Sequence, residues 1–304
     1  MQINHCKKHS IITSILFLAA SFGGAVAVPA PALAQVEACP ATWYQTEGAT
    51  AKGYRMCSRY VGFGTQVQIV DLKAGARVVI GSQIAPIAGA PAAQYVKRTA
   101  EEWWTYMEND PARQTRGPLQ AIVNASFFRT ASPAETTELS FGQKKDGVTE
   151  TIGTDTDTVY TKRVFGLFAG GAKALINDFA YKGRDPAAYA NALSNVNSAL
   201  VSFAPDGGPV ASEQARRTYF GGRDTDGDGA LDRLYIFTST ETLTAADVIK
   251  ILRDEFKTSA NIQMDGGGST QLHSRYGATV ATECVIPTRG CRKVPNVLAI
   301  YAAP

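Results

Sequence analysis

Apolar and polar positions alternate through Thr65-Gln-Val-Gln-Ile-Val-Asp71, the period of a strand with one buried face. After a glycine-containing turn, Arg77-Val-Val-Ile80 continues the run, so the two segments predict a β-hairpin. Across residues 92–108 the apolar side chains fall near helical spacing with charges between them, which predicts a helix ending before Pro111. Trp103 and Trp104 cannot both face the core of that helix, so one packs and its neighbour lies at a wet edge. Residues 118–123 read as a buried strand that delivers Asn124-Ala-Ser-Phe-Phe128. The stretch 131–158, rich in Thr, Ser, Asp and Gly, predicts exposed loops around one strand at 138–143. Residues 164–179 predict two strands about Gly170-Gly171, residues 187–200 a helix, and residues 233–237 a strand. Thr244, with Asp247 three positions on, marks a capped start for a helix over 245–257, and the strand 261–264 follows. No period of 20 to 50 residues recurs, which excludes a solenoid or propeller.

The first residues carry an export pattern. Lys7 and Lys8 precede a largely apolar stretch over 11–28, and small residues in Ala-x-Ala spacing predict cleavage after Ala34. Gly23, Gly24, Pro29 and Pro31 break the run before it reaches a spanning length of about 20 residues. The expectation is a signal peptide over 1–34, then a soluble periplasmic or secreted protein without stable membrane insertion. The full chain has 304 residues and a formal charge of +3, of which Lys7 and Lys8 leave with the leader. A balance near neutrality excludes bulk nucleic-acid binding, which needs a basic face. Of the cysteines beyond the leader, Cys39 and Cys57 lie near one end, Cys284 and Cys291 near the other. Three pairings are open to four cysteines, and sequence proximity favours Cys39–Cys57 and Cys284–Cys291. Neither pair has the two-residue spacing of a zinc knuckle.

Two segments carry chemistry. Asp265-Gly266-Gly267-Gly268-Ser269-Thr270 sets one carboxylate at the mouth of a strand, followed by residues that let another molecule approach the backbone. The strand, helix, strand order ahead of it places Asp265 at a strand's C-terminal end, where α/β sheets form ligand crevices. His273, beyond the leader the one histidine of the chain, lies two residues past Gln271; a lone histidine is more often a bystander. Asp224-Thr-Asp226-Gly-Asp228-Gly-Ala-Leu-Asp232 has acids at alternate positions followed by glycine, like the oxygen cage of a calcium loop. Tyr235 stands where such a loop carries its bidentate Glu, so either the four acids hold a structural calcium in a shortened loop or they make a solvated turn.

Taken in order, Asn124-Ala-Ser-Phe-Phe128, Arg217-Thr-Tyr-Phe-Gly221, Asp265-Gly-Gly-Gly-Ser269 and Val294-Pro-Asn296 resemble the motifs of the phosphodiester glycosidase family. The resemblance spans roughly residues 60–302. It implies an α+β fold: a single compact domain of mixed β-sheets flanked by helices over 60–304, preceded by a disulfide-closed segment at 35–59. It also implies hydrolysis of a sugar-1-phosphodiester or phosphorylated glycan, with no cofactor needed for the chemistry. Asn124, Arg217, Thr218, Asp265, Gly266, Gly267, Gly268, Ser269 and Asn296 would line the cleft. Asp265 would act as base or nucleophile at the anomeric carbon. Arg217 would hold the phosphate, Asn124 and Asn296 would orient hydroxyls or water, and the glycine amides would stabilise developing charge. Three departures bear on specificity: Ala125 for glycine, Tyr219 for a small residue, and Pro295 before Asn296. Two other readings stand beside this one, a noncatalytic binder of phosphorylated glycans and a calcium-dependent phosphodiesterase acting at phosphorus.

Overall fold

The central strands of this protein, Leu119–Asn124, Ser198–Phe203 and Asn296–Tyr301, are buried at successive positions because both of their faces are covered. The computed structural model describes residues 36–304 apart from 61–62, 91, 130–133, 156–158, 180–185, 278 and 282–291. The predicted leader and the Cys284–Cys291 pair lie outside the described residues. One sheet has eleven strands, running in space as Tyr44–Ala51, Tyr54–Tyr60, Phe63–Asp71, Arg233–Thr238, Thr218–Arg223, Ala260–Gln263, Ser198–Phe203, Lys162–Leu167 and Ala174–Phe179. Gln143–Lys145 also pairs with Ser198–Phe203 and carries Val148–Thr151 outside it. A second sheet of five strands runs Thr279–Ala281, Gln271–Ser274, Leu119–Asn124, Asn296–Tyr301 and Arg77–Ser82. A small third sheet joins Ile84–Ala85, Gln94–Val96 and Thr136–Thr137.

The two large sheets pack face to face. Phe165, Phe220, Ile236 and Ile262 from one meet Val123, Ile80, Leu298 and Ile300 from the other in a single buried cluster. The helix Ala245–Asp254 covers the outer face of the eleven-stranded sheet, laying Val248, Ile251 and Leu252 against Tyr219, Tyr235 and Phe237. The helix Ala100–Glu108 covers the outer face of the five-stranded sheet with Trp103 and Met107, against Ile122, Val297 and Tyr301. Neighbouring residues on one strand therefore serve different layers: Tyr219 faces the helix and Phe220 faces the second sheet. Pairing shifts register between Leu119 and Ala121, which lets both Leu119 and Ile122 face the helix. The fold is thus α+β with the sheets dominant, as expected.

Cys39 and Cys57 are bonded, as sequence proximity favoured, and fasten the N-terminal segment to the eleven-stranded sheet. Trp43 of that segment packs on Phe256, with ring centroids 4.9 Å apart. Among the described residues no helix is long and apolar enough to cross a membrane.

Four predicted elements differ from the structure. Phe63–Asp71 and Arg77–Ser82 form no hairpin, because each pairs within a different sheet and the turn between them changes layer. Asp71 holds that turn by accepting the Ala74 amide on its carboxylate. The helix predicted over 92–108 starts only at Ala100, since Thr99 and Glu102 form a capping box and Gln94–Val96 has been drawn into the third sheet. Helix Pro186–Ala192 stops short of 200, because Ser198–Phe203 is a strand buried at every position. The strand expected at 138–143 is absent over 138–142, where Leu139 makes only an isolated bridge to Phe128, and the strands lie on either side at Thr136–Thr137 and Gln143–Lys145.

Truncating Phe220, which stacks edge-on against Phe165 at 5.3 Å in the inter-sheet core, is expected to cost about 3–5 kcal/mol. Urea unfolding of Phe220→Ala should shift its midpoint at constant slope; a change below about 1 kcal/mol contradicts this packing.

Candidate functional site

The segment from Met264 to Thr270 is where the chain leaves the eleven-stranded sheet and enters the five-stranded one. Its backbone is pinned along the way. The Met264 amide donates to the Thr218 carbonyl at 2.9 Å, that of Asp265 to Ala125 at 2.9 Å, and that of Gly267 to Arg216 at 2.8 Å. The Asn124 side chain ties the same three places together. Its Nδ2 donates to the Asp265 carbonyl at 2.7 Å, and its Oδ1 accepts from Thr218 Oγ1 at 2.8 Å and from the Gln271 amide at 2.9 Å. Asn296 does similar work next door: its Oδ1 accepts from the Ser126 amide, and its Nδ2 donates to Ser126 Oγ and Gln143 Oε1. Asn124, Thr218, Asp265, Gly266, Gly267, Ser269 and Asn296 therefore converge at one end of the sandwich, although they are far apart in sequence.

Two of the glycines answer different demands. A Cβ on Gly266 would stand 2.8 Å from the Arg216 carbonyl oxygen, so the chain's own packing requires its absence. Gly267 has φ +59° and open space where a side chain would go.

Asp265 is more than nine-tenths buried, and its Oδ2 has no hydrogen-bond partner among the described residues. Burial pushes its pKa up to about 7, against the opposing pull of the Ser269 hydroxyl, the nearby Arg292 guanidinium and the Gly266 amide. The acid is therefore a carboxyl poised to change charge near neutrality. Arg292 also donates to Ser269 Oγ at 3.3 Å, and its carbonyl accepts from Gln271 Nε2 at 2.6 Å. Sequence reasoning missed Arg292 and Gln271. Their signal was position alone: one lies four residues before Asn296, the other directly beyond the glycine segment.

Arg217 corrects an expectation. Its residue is 1 % exposed, and its guanidinium is committed to backbone oxygens, with Nε donating to Leu243 and Nη2 to Val210 and Glu213 at 2.9, 2.8 and 2.5 Å. A fork spent on three carbonyls braces loops and is not presented to a phosphate. Tyr219 is likewise corrected, since alternation along the strand turns it under the helix Ala245–Asp254 and away from Thr218's partner Asn124. Its hydroxyl donates to the Pro205 carbonyl at 2.8 Å, so it does not narrow a cleft at Asp265. His273 packs against Trp104 at 5.0 Å, and burial lowers its pKa. Trp103 is fully buried while Trp104 is half-buried, which matches the division read from the helix.

The acidic loop brings together Asp224, Asp226 and Asp232, with ligand oxygens within 4.8 Å of one another, while Asp228 pairs with Lys173. Asp224 accepts the amides of Asp226, Gly227 and Gly229, Asp226 pairs with Lys73 at 3.0 Å, and Asp232 accepts from Thr225 Oγ1 at 2.6 Å. These acids anchor a turn. The loop joins the Arg223 and Arg233 ends of its two strands, whereas Asp265 lies beyond the Thr218 end, about 17 Å away by strand rise.

No protein-family model matches this chain, and no curated protein matches it. Solved structures give distant likenesses. It is similar to the zebrafish N-acetylglucosamine-1-phosphodiester alpha-N-acetylglucosaminidase catalytic domain, auto-inhibited by its pro-peptide, at 15 % identity over 78 % of this chain and 76 % of that one, with a TM-score of 0.49. An exported protein of Burkholderia pseudomallei K96243 matches at 10 % identity over 82 % and 74 %, with a TM-score of 0.48. A hypothetical protein from Synechocystis matches at 12 % identity over 86 % of this chain and 62 % of its own, with a TM-score of 0.39.

The raised pKa of Asp265 has a stability consequence with a definite sign. Between the ordinary 3.8 and about 7 the folded chain holds a proton that the unfolded chain has released, so this group makes stability fall as pH rises through that window. Asp265→Asn removes the dependence. Its melting temperature relative to wild type is expected to rise from pH 5 to pH 8, and a difference independent of pH contradicts the buried, under-solvated carboxyl.

Proposed function

We propose that this protein is an exported hydrolase that cleaves the glycosidic bond of a sugar-1-phosphodiester, of the N-acetylglucosamine-1-phosphodiester kind, on envelope or extracellular polysaccharide. The observation that carries this reading is the buried carboxyl of Asp265, one oxygen unpartnered, at the point where the four motif segments meet. A passive binding module has no use for such a group, because burying an ionisable carboxyl without full hydrogen bonding destabilises the fold. Perturbed acids of this sort cluster where proton transfer or nucleophilic attack occurs.

In this reading the ionised Asp265 serves at the anomeric carbon, as nucleophile or as base for water. The C–O bond to phosphate breaks, water's oxygen ends on the sugar, and a phosphate monoester departs. That leaving group is a weak base and needs little protonation, so a single carboxyl suffices where most glycosidases use two. Arg292, which already acts electrostatically on Asp265, is the cation assigned to the phosphate in place of Arg217. Ser269 sits between them. Asn124, Thr218 and Asn296 hold the backbone geometry and act through it. The acidic loop, at the other end of its strands, is given no part in the reaction.

Hydrolysis of an N-acetylglucosamine-1-phosphodiester in 18O water tests the proposal: label should enter the sugar, and label in phosphate indicates a phosphodiesterase instead. Asp265→Asn is expected to lower kcat by about 10²–10⁴-fold with the fold retained. In the wild type kcat/KM should rise with pH through about 7, because the ionised form is the active one. The two arginines should separate cleanly. Arg292→Gln is expected to raise KM with little change in melting, whereas Arg217→Lys is expected to destabilise by about 2–3 kcal/mol through lost charge-assisted bonds. The opposite assignment of effects would return the phosphate to Arg217.

A further inference from the structure

Beside the segment 125–129, which leads away from Asp265, lies an open groove of about 1150 Å³. Its polar lining comes from Arg129, Glu138, Thr149, Glu150, Thr151 and Thr154, and alanines make up much of the rest. The volume exceeds the range of about 300–1,000 Å³ that holds single small ligands, which favours a chain of several units. Glu138 is already engaged: it pairs with Arg129 at 3.7 Å and accepts from Gln94 Nε2 at 3.0 Å. Glu150 is different. Ser82 Oγ, Tyr95 Oη and Gln143 Nε2 all donate to its Oε2, at 3.2, 3.4 and 2.5 Å, and no cation pairs with it among the described residues. Its Oε1 has no hydrogen-bond partner among the described residues, while the residue itself lines the groove.

Glu150 is also wired to the site. Gln143, which donates to Glu150, accepts from Asn296, and Asn296 holds both the amide and the hydroxyl of Ser126, next to the Ala125 carbonyl that receives the Asp265 amide. A carboxylate held rigidly on one oxygen is suited to accept hydrogen bonds from sugar hydroxyls, and the Thr151 hydroxyl, whose oxygen accepts the Gly153 amide at 3.0 Å, has its own O–H to donate. The same unpaired acid disfavours an anionic polymer.

We infer that this groove is a subsite for a neutral oligosaccharide segment, with Glu150 and Thr151 as its hydroxyl-binding residues, so that the substrate is a glycan chain and not a small aglycone. The choice of a sugar ligand rests on the hydrolase reading above.

Calorimetric titration of the full-length protein with a linear hexamer of N-acetylglucosamine, against a hexamer of galacturonic acid, tests the subsite independently of turnover. The neutral hexamer should bind, Asp265→Asn should bind it as well as wild type does, and Glu150→Gln and Thr151→Val should each weaken it about tenfold. The inference is overturned if neither hexamer binds, if the acidic one binds as well as the neutral one, or if both variants bind like wild type. Retained hexamer binding without hydrolysis of any sugar-1-phosphodiester rejects the reaction and leaves the subsite standing. Hydrolysis of a methyl-phosphodiester of N-acetylglucosamine with hexamer binding insensitive to both variants rejects only the subsite.

Discussion

One buried amide holds the two halves of this molecule in register. Asn124 closes the end of a five-stranded-sheet strand, and its side chain reaches Thr218 on the other sheet, the carbonyl of Asp265 between the sheets, and the amide of Gln271 where the crossing ends. Those groups would otherwise be buried polar atoms without partners, each costing about 1–3 kcal/mol. A planar side chain with a donor and an acceptor on the same carbon answers both needs. An aspartate in its place has no donor when ionised, and a leucine satisfies none of the three. The candidate site thus exists because the chain must change layers, and a layer change in a sandwich exposes backbone that a buried polar side chain must satisfy, as Asn124 does here and Asp71 does at the other crossing.

That constraint explains why a charged acid is tolerated where it is. Asp265 occupies the first position of the crossing, where the strand Ala260–Gln263 has ended and the second sheet has not begun. Its backbone is used by Ala125 and Asn124, so the side chain is placed by the main chain, with Ser269 and Gly266 bonding the carboxyl and its Oδ2 left over. The rigidity comes from the main chain, and the carboxyl is left under-solvated with its pKa raised. Placing a functional group on an over-determined backbone preorganises it, and the cost is borne by the fold as a whole.

How far the sequence was legible follows the same physics. Local signals held where they were local: Thr244 with Asp247 caps the helix Ala245–Asp254, and the strands about Gly170-Gly171 pair in perfect succession. The layer change after Asp71 was invisible, since an alternating pattern states that a strand has a buried face and not which strand lies beside it. Residues 198–200, the start of a buried strand, were read as the end of a helix because a strand covered on both faces loses its period. At the site, the motif residues did converge, but Arg217 and Tyr219 were misjudged, and the side chains of Asn124 and Asn296, read as orienting hydroxyls or water, are bonded to the chain's own groups. Arg217 resembles a ligand cation in sequence and is a brace in space, because a motif records what must stay together and is silent on which side chain points inward. Arg292 had no such mark, having no periodic pattern and no neighbouring acid to single it out.

The contrast between the two arginines also bears on how the site divides its labour. A guanidinium that satisfies the carbonyls of Val210, Glu213 and Leu243 fixes the loops on either side of the strand Thr218–Arg223, and through Arg216 the path of Gly267. Removing Gly266's freedom to approach Arg216 would push on that same brace. Arg217 therefore controls where the glycine segment lies without touching whatever lies on it. Arg292 faces the opposite constraint: its carbonyl is held by Gln271 while its guanidinium reaches Ser269 beside the acid, so its charge also acts on the carboxyl. A cation that stiffens the frame and one that tunes the acid are separate requirements, and Arg217, with Nε and Nη2 spent on three backbone carbonyls, meets only the first.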